Sequence, residues 1–199
     1  MTTAAVVTSP TTLTSLLQNA TSTLANLAEH LDALDAEARV REIREMPGRL
    51  QARVWQLAGE AAPYTLEDLV PAGEGKPVIL AGKNSLPMFT HFEKRFARVG
   101  GRVVGYNHQP MSWITGPGYF TVVPAPHPER QKELLIDYTQ VPEAGAEGWP
   151  RIKQNSSGVS YFVYHKLHDF LRRVSREVVI GEATRMGKPM GSYFLIAKR

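Results

Sequence analysis

The chain has 199 residues, 43% of them hydrophobic, a net charge of +4 and no cysteine. That length fits one domain, or one domain with a helical extension, and the composition provides for a real core. Lack of cysteine excludes disulfides, thiolate nucleophiles and cysteine metal sites, and no apolar run approaches the ~20 residues of a membrane helix.

The N-terminus has no basic residue ahead of its apolar positions and makes a poor secretory signal. A cytoplasmic protein with no membrane partner is therefore the expectation. Charge is uneven: residues 1–75 carry 5 Lys/Arg and 10 Asp/Glu, and residues 76–199 carry 18 and 9. A basic half raises the question of a polyanion partner. Its cations are scattered rather than clustered, so nucleic acid is not the expected partner. Docking of the acidic helices onto the basic half explains the asymmetry better.

Residues 1–11 are small, polar and threonine-rich, which predicts a flexible tail. From Thr12, Leu13, Leu17, Leu24, Leu27, Leu31 and Leu34 recur at three- and four-residue steps. This is the stripe of an amphipathic helix, extended by Val40 and Ile43 as far as Pro47-Gly48. A second helix is predicted from Arg49 to Gly59, and the short gap favours a helical hairpin. The leucine seam needs a cover, either within the chain or from a second copy in a homo-oligomer. Thr65 and Asp68 form a capping pair for a short helical turn at Leu66–Leu69. The helical region thus spans residues 12–70, and residues 71–77 form the boundary.

Beyond it the texture becomes β. Val78–Ala81 is a short apolar run, and strands are predicted at Arg102–His108, Trp113–Ile114, Tyr119–Val123, Leu134–Thr139, Ser160–Tyr164, Phe170–Val174, Val178–Ala183 and Tyr193–Ala197. Turns fall at Gly100-Gly101, Gly116-Pro117-Gly118 and Ser175-Arg176, and residues 141–158 read as a long loop. Leu86–Phe96 is ambiguous, because Phe89, Phe92 and Phe96 also fall at helical spacing. About seven or eight short strands joined by hairpins favour an up-and-down meander that closes to remove its edges. The expected fold class is α+β: an N-terminal helical hairpin, then an antiparallel β-barrel over residues 76–199.

Tyr164, Asp169, Phe170, Arg172, Val174, Val178–Gly181 and Tyr193–Phe194 form the pattern Y…D-F-x-R-x-V…V-x-I-G…Y-F. This segment resembles the C-terminal half of lipocalin-like calycin barrels, including bacterial proteins of the Gly-x-Trp-x-Gly type. That motif itself is absent; Trp113 followed by Gly116 does not match it. The resemblance covers about 35 residues and implies a lipocalin-like architecture, without carrying a function.

No glycine-rich dinucleotide or phosphate loop, no His-Glu-x-x-His and no Gly-x-Ser-x-Gly occurs. His165, His168 and Asp169 form H-x-x-H-D, but on a strand these histidines point to opposite faces, so no metal site is expected. No cofactor is expected. Asp137 and Glu182 are the notable acids, each set among apolar strand residues. Alternation puts Asp137 on the face of Leu135, and Glu182 on the face of Val178 and Ile180. If those faces line the barrel, the acids are buried and need a partner, for which Arg172 is the candidate. Tyr106, His108, Trp113, Tyr119, Tyr138, Tyr161 and Tyr164 supply amphipathic aromatics, which line a ligand cup or serve as ordinary strand packing. Lys83-Asn84-Ser85 and Gly105–His108 add polar, glycine-flanked clusters.

The leading expectation is a protein that holds a hydrophobic small molecule in a barrel cup. Tyr106, His108, Trp113, Asp137, Tyr138, Tyr164, Arg172 and Glu182 would contact it. One alternative is a cofactor-independent cyclase or isomerase with Asp137 or Glu182 as the acid or base. Another is an interaction module acting through the leucine seam.

Overall fold

Eight strands, each antiparallel to its sequence neighbour, run β1 to β8 and close when β8 pairs with β1. They are β1 (Val78–Asn84), β2 (His91–Val99), β3 (Arg102–His108), β4 (Tyr119–Pro124), β5 (Leu134–Asp137), β6 (Leu167–Arg173), β7 (Val178–Arg185) and β8 (Lys188–Lys198). The computed structural model describes residues 11–73, 76–86, 90–109, 116–155 and 164–199. The strand expected at Trp113–Ile114, most of that at Ser160–Tyr164, Trp113 and Tyr161 themselves, and nearly all of the predicted tail lie outside the described residues. Tyr164 is described, and its backbone is helical, just ahead of the turn that leads into β6, rather than in a strand.

The ambiguous stretch resolves as strand from His91 onward, and β6 and β8 begin earlier than their apolar cores suggest. Gly100 and Gly101, with φ of 56° and 74°, make the two-residue turn between β2 and β3. Positive φ at both central residues is the turn type whose twist matches a hairpin.

The barrel follows a helical region, as the sequence predicts. The single long helix, however, is broken into α1 (Leu13–Gln18), α2 (Leu24–Ala33) and α3 (Ala36–Glu45), followed by α4 (Gln51–Leu57) and the short α5 (Leu66–Leu69). Local caps explain the breaks. Thr12 and Thr23 each form a capping box, and the Asp35 side chain accepts from the Ala38 amide. Each cap satisfies amides that a continuous helix would have bonded internally.

Two apolar clusters show what lies inside and outside the barrel. One joins Leu13, Leu17, Leu27, Leu31, Ile43, Val54 and Trp55 of the helices to Leu135, Phe170, Val178, Ile180 and Leu195 of the strands. The other draws Leu80, Phe96, Val103, Phe120, Ile136, Leu171, Val179 and Ile196 from all eight strands. A cluster fed by every strand of a closed barrel is its interior, so the first is the outer wall under the helices. The leucine seam therefore packs on the barrel of its own chain. Ion pairs also tie the helices to the barrel: Arg98–Glu67, Arg173–Asp68 and Arg176–Asp32. These account for part of the charge asymmetry within the chain. No helix among the described residues is long and apolar enough to cross a membrane.

One end of the barrel is plugged. Tyr64, Leu69 and Val70, in and beside α5, join the interior cluster. Arg98 Nε donates to the Val70 carbonyl at 2.9 Å, and Lys198 Nζ donates to the Asp68 carbonyl at 2.7 Å. These side chains satisfy carbonyls at the helix C-terminus, which lack intrahelical partners.

Candidate functional site: a polar floor in an aromatic cup

At the opposite end the interior opens into a cup of about 180 Å³. Its walls include Leu86, Phe92, Tyr164, Leu167, Ala183 and Phe194, and its floor holds Lys94, Asn107, Tyr138 and Asp169. Strand parity places these four. Lys94 lies between inward Phe92 and Phe96, Asn107 two residues after Gly105, Tyr138 two after Ile136, and Asp169 two before Leu171. Antiparallel register brings β2, β3, β5 and β6 together so that the four side chains converge.

The geometry is tight. Lys94 Nζ donates to Asn107 Oδ1 at 2.9 Å, to the Tyr138 hydroxyl at 2.5 Å and to Asp169 Oδ2 at 3.0 Å. Asn107 Nδ2 donates to the same hydroxyl at 3.0 Å. Lys94 and Asp169 are each 3% exposed. The rings of Phe92, Phe120, Tyr138 and Phe194 surround the ammonium at 4.7 to 5.7 Å from its nitrogen. Such rings attract a cation by their negative faces. Burial pushes the Lys94 pKa below its ordinary value, against the upward pull of Asp169. Burial, helped by the Asp169 charge, raises the Tyr138 phenol well above its ordinary range, so it stays a hydroxyl.

Small residues make room for the rings. A Cβ on Gly105 would overlap the Phe120 ring, and one on Gly181 would overlap the Phe194 ring. Tyr164 stacks on Tyr138 with centroids 5.3 Å apart, and its ring lies over Gly118.

Of the residues expected to contact a ligand, Tyr138 and Tyr164 line this cup. The other described ones fall elsewhere. Asp137, Arg172 and Glu182 share the parity of Leu135, Phe170 and Ile180, and that face is the outer wall. They do not meet as a group. Asp137 Oδ1 pairs with His168 at 3.2 Å, Arg172 with Glu133 at 2.8 Å, and Glu182 with Arg130 at 2.9 Å. Glu133 also holds Arg130 at 2.9 Å, so Arg172 and Glu182 belong to one four-membered network. Arg172 donates to the Trp55 carbonyl and stacks 3.7 Å over the Trp55 ring, which fastens α4 to the barrel. Tyr106 and Tyr119 also face outward, packed with Trp149 of the long loop, and His108 lies beside them, exposed. The acid or base of the cyclase or isomerase alternative, Asp137 or Glu182, is thus outside the cup.

Other hollows lie on the outer surface. Two of them, of about 520 and 560 Å³, sit against α3 and against residues 139–144. A third, of about 310 Å³, borders Arg130, Glu133 and Arg172, whose charges are already paired with one another. Among the described residues, the cup is the hollow that joins an apolar wall to the buried Lys94–Asp169 pair. Among the described residues no group of three or more His, Cys, Asp or Glu could hold a metal ion.

The sequence signal for the missed residues was F-x-K-x-F at Phe92–Phe96. On a strand it sets a lysine on an aromatic inward face; at helical spacing it says nothing of the kind. Comparison with known protein families, with curated proteins and with solved structures finds no match to this chain.

Proposed function

We propose that this protein binds a small, largely apolar molecule in the cup at the open end of its barrel. The observation that carries the proposal is the buried Lys94–Asp169 pair at the cup's floor. Such a pair is poor value for stability: well-packed hydrophobic residues of similar volume commonly do as well or better. Buried ionisable groups in a cleft are candidates for a functional role. The aromatic wall suits the faces of a ring or a hydrocarbon, and a few convergent polar groups suit a polar end.

Size limits the occupant. At about 180 Å³ the cup is smaller than the ~300 Å³ lower bound of drug-sized sites. An apolar cavity of about 150 Å³ holds benzene. The cup therefore takes a ring-sized molecule, or the head of a longer one whose tail extends past the rim. A lipocalin-like kinship fits this use of the barrel, and a cytoplasmic setting fits a chain without cysteine.

Native mass spectrometry of protein purified from its own source tests the proposal. The expected result is a retained small molecule that is lost from Ala183→Phe, which fills the cup. Equal retention by that variant would place the ligand elsewhere.

A further inference from the structure

The floor of the cup carries one cation and one anion, 3.0 Å apart. Lys94 has committed all three ammonium donors, to Asn107, Tyr138 and Asp169. An ammonium has no fourth donor and no acceptor. Among the described residues lining the cup, Lys94 and Asp169 are the two of the Lys, Arg, Asp and Glu types. The cup thus presents aromatic faces and dipoles, with no net charge.

From this geometry we infer that the cup selects uncharged ligands, with a hydroxyl, carbonyl or amide as their polar end, and rejects carboxylates, with Asp169 as the residue that sets the choice. The inference rests on the binding role proposed above. A carboxylate entering the cup leaves its water shell and meets a cation already neutralised. It also approaches the Asp169 carboxylate, a like charge. Burying an ion without a counter-charge costs far more than burying a hydroxyl that finds one hydrogen bond. A neutral polar end needs only such a bond. At the rim, Gln109 Nε2 donates to the Tyr164 hydroxyl at 3.4 Å, a long contact that a ligand oxygen can replace.

Asp169→Asn reverses the logic. The variant removes the anion that supports the Lys94 charge, and an entering carboxylate takes the place of Asp169 as its partner. The same floor then favours the carboxylate.

Titration calorimetry with matched probes tests this at pH 7 and fixed salt. The pairs are benzyl alcohol against benzoate and hexanol against hexanoate, with benzaldehyde as a carbonyl probe. In the wild-type protein each uncharged probe is expected to bind at least about tenfold tighter than the carboxylate with the same tail, a margin of ~1.4 kcal/mol. In Asp169→Asn the margin is expected to vanish or invert. Carboxylates that bind the wild-type protein as tightly as the alcohols would overturn the inference while leaving the cup a binding site. Failure of every probe to bind would remove the cup as a site, and the inference with it. Should Asp169→Asn not fold, the wild-type comparison decides the selectivity, and Asp169→Ser takes its place as the test of Asp169, with the same margin expected to vanish or invert.

Discussion

Lys94→Met removes the buried cation and keeps much of its stem volume. Asp169 then remains 3% exposed among aromatic rings with no counter-charge. At the 3.0 Å of the intact pair, an effective dielectric near 20 gives an attraction of about 5.5 kcal/mol. In the wild-type protein the desolvation of both ions, several kcal/mol each, offsets most of that. In the single variant the desolvation of Asp169 stays and the attraction goes, so the expected loss is about 3–5 kcal/mol. The double variant Lys94→Met with Asp169→Leu removes both charges. It is expected to match the wild type or to exceed it by up to about 4 kcal/mol. Urea denaturation measures all the stabilities, with constant slopes confirming a common unfolding reaction. Thermal midpoints should follow at roughly 2–4 °C per kcal/mol for a chain of this size. A Lys94→Met protein within about 1 kcal/mol of wild type would refute the reasoning, given the usual cost of an unpaired buried charge. So would a double variant as unstable as the two single effects added together.

Three further outcomes follow from other parts of the molecule. Burial would raise the Asp137 carboxyl, yet hydrogen bonds from His168 and Thr139 hold it well below the usual carboxylate range. The Asp137 hydrogen bond in turn raises His168, against its burial. The Asp137 contribution is present above the ordinary carboxyl pKa and is lost as pH falls through the depressed value. The His168 contribution is full below its ordinary 6.5 and is lost as pH rises through the raised value. The stability gap between wild type and His168→Gln should therefore be widest near about pH 5 and close on the alkaline side; a gap that stays flat in urea titrations across this range would contradict the pairing. Gly181→Ala should cost about 1–3 kcal/mol by overpacking, and should weaken ligand retention by pushing Phe194 into the cup; an unchanged melting temperature would show that the ring has room. Glu133→Gln, which strips the charge shared by Arg130 and Arg172, should cost about 2 kcal/mol in denaturant, and a neutral result would show that the network does not fasten α4.

The barrel could be read from the sequence because its hairpins follow one another with no helical crossover, and because turn residues such as Gly100-Gly101 and Ser175-Arg176 punctuate the strands. Inside and outside could not be read for β5 to β8. Leu135, Phe170, Ile180 and Leu195 lie under the helices, while Ile136, Leu171, Val179 and Ile196 fill the interior. Strands buried on both faces lose the polar–apolar alternation that tells one face from the other. Asp137 and Glu182 looked like interior acids for that reason; they are outer-wall residues with partners of their own. Lys94 escaped notice because its stretch fitted two periods at once. Asp169 was visible in the calycin-like pattern and in H-x-x-H-D, but the first gave it no role and in the second the two histidines drew attention from the acid beside them. The helix breaks at Thr23 and Asp35 were written in capping residues, but the continuous leucine stripe outweighed them. The seam's cover needed the third dimension, since a stripe of leucines is silent on whether a helix or a sheet will meet it.

The most direct check on the cup is nuclear magnetic resonance of labelled protein titrated with benzyl alcohol. The side-chain signals of Phe92, Lys94, Tyr138, Asp169 and Phe194 should shift together and saturate with one affinity. Shifts confined to the helical face, or to the surface between Ala58 and Arg130, with the Lys94 and Tyr138 signals unmoved, would contradict the account.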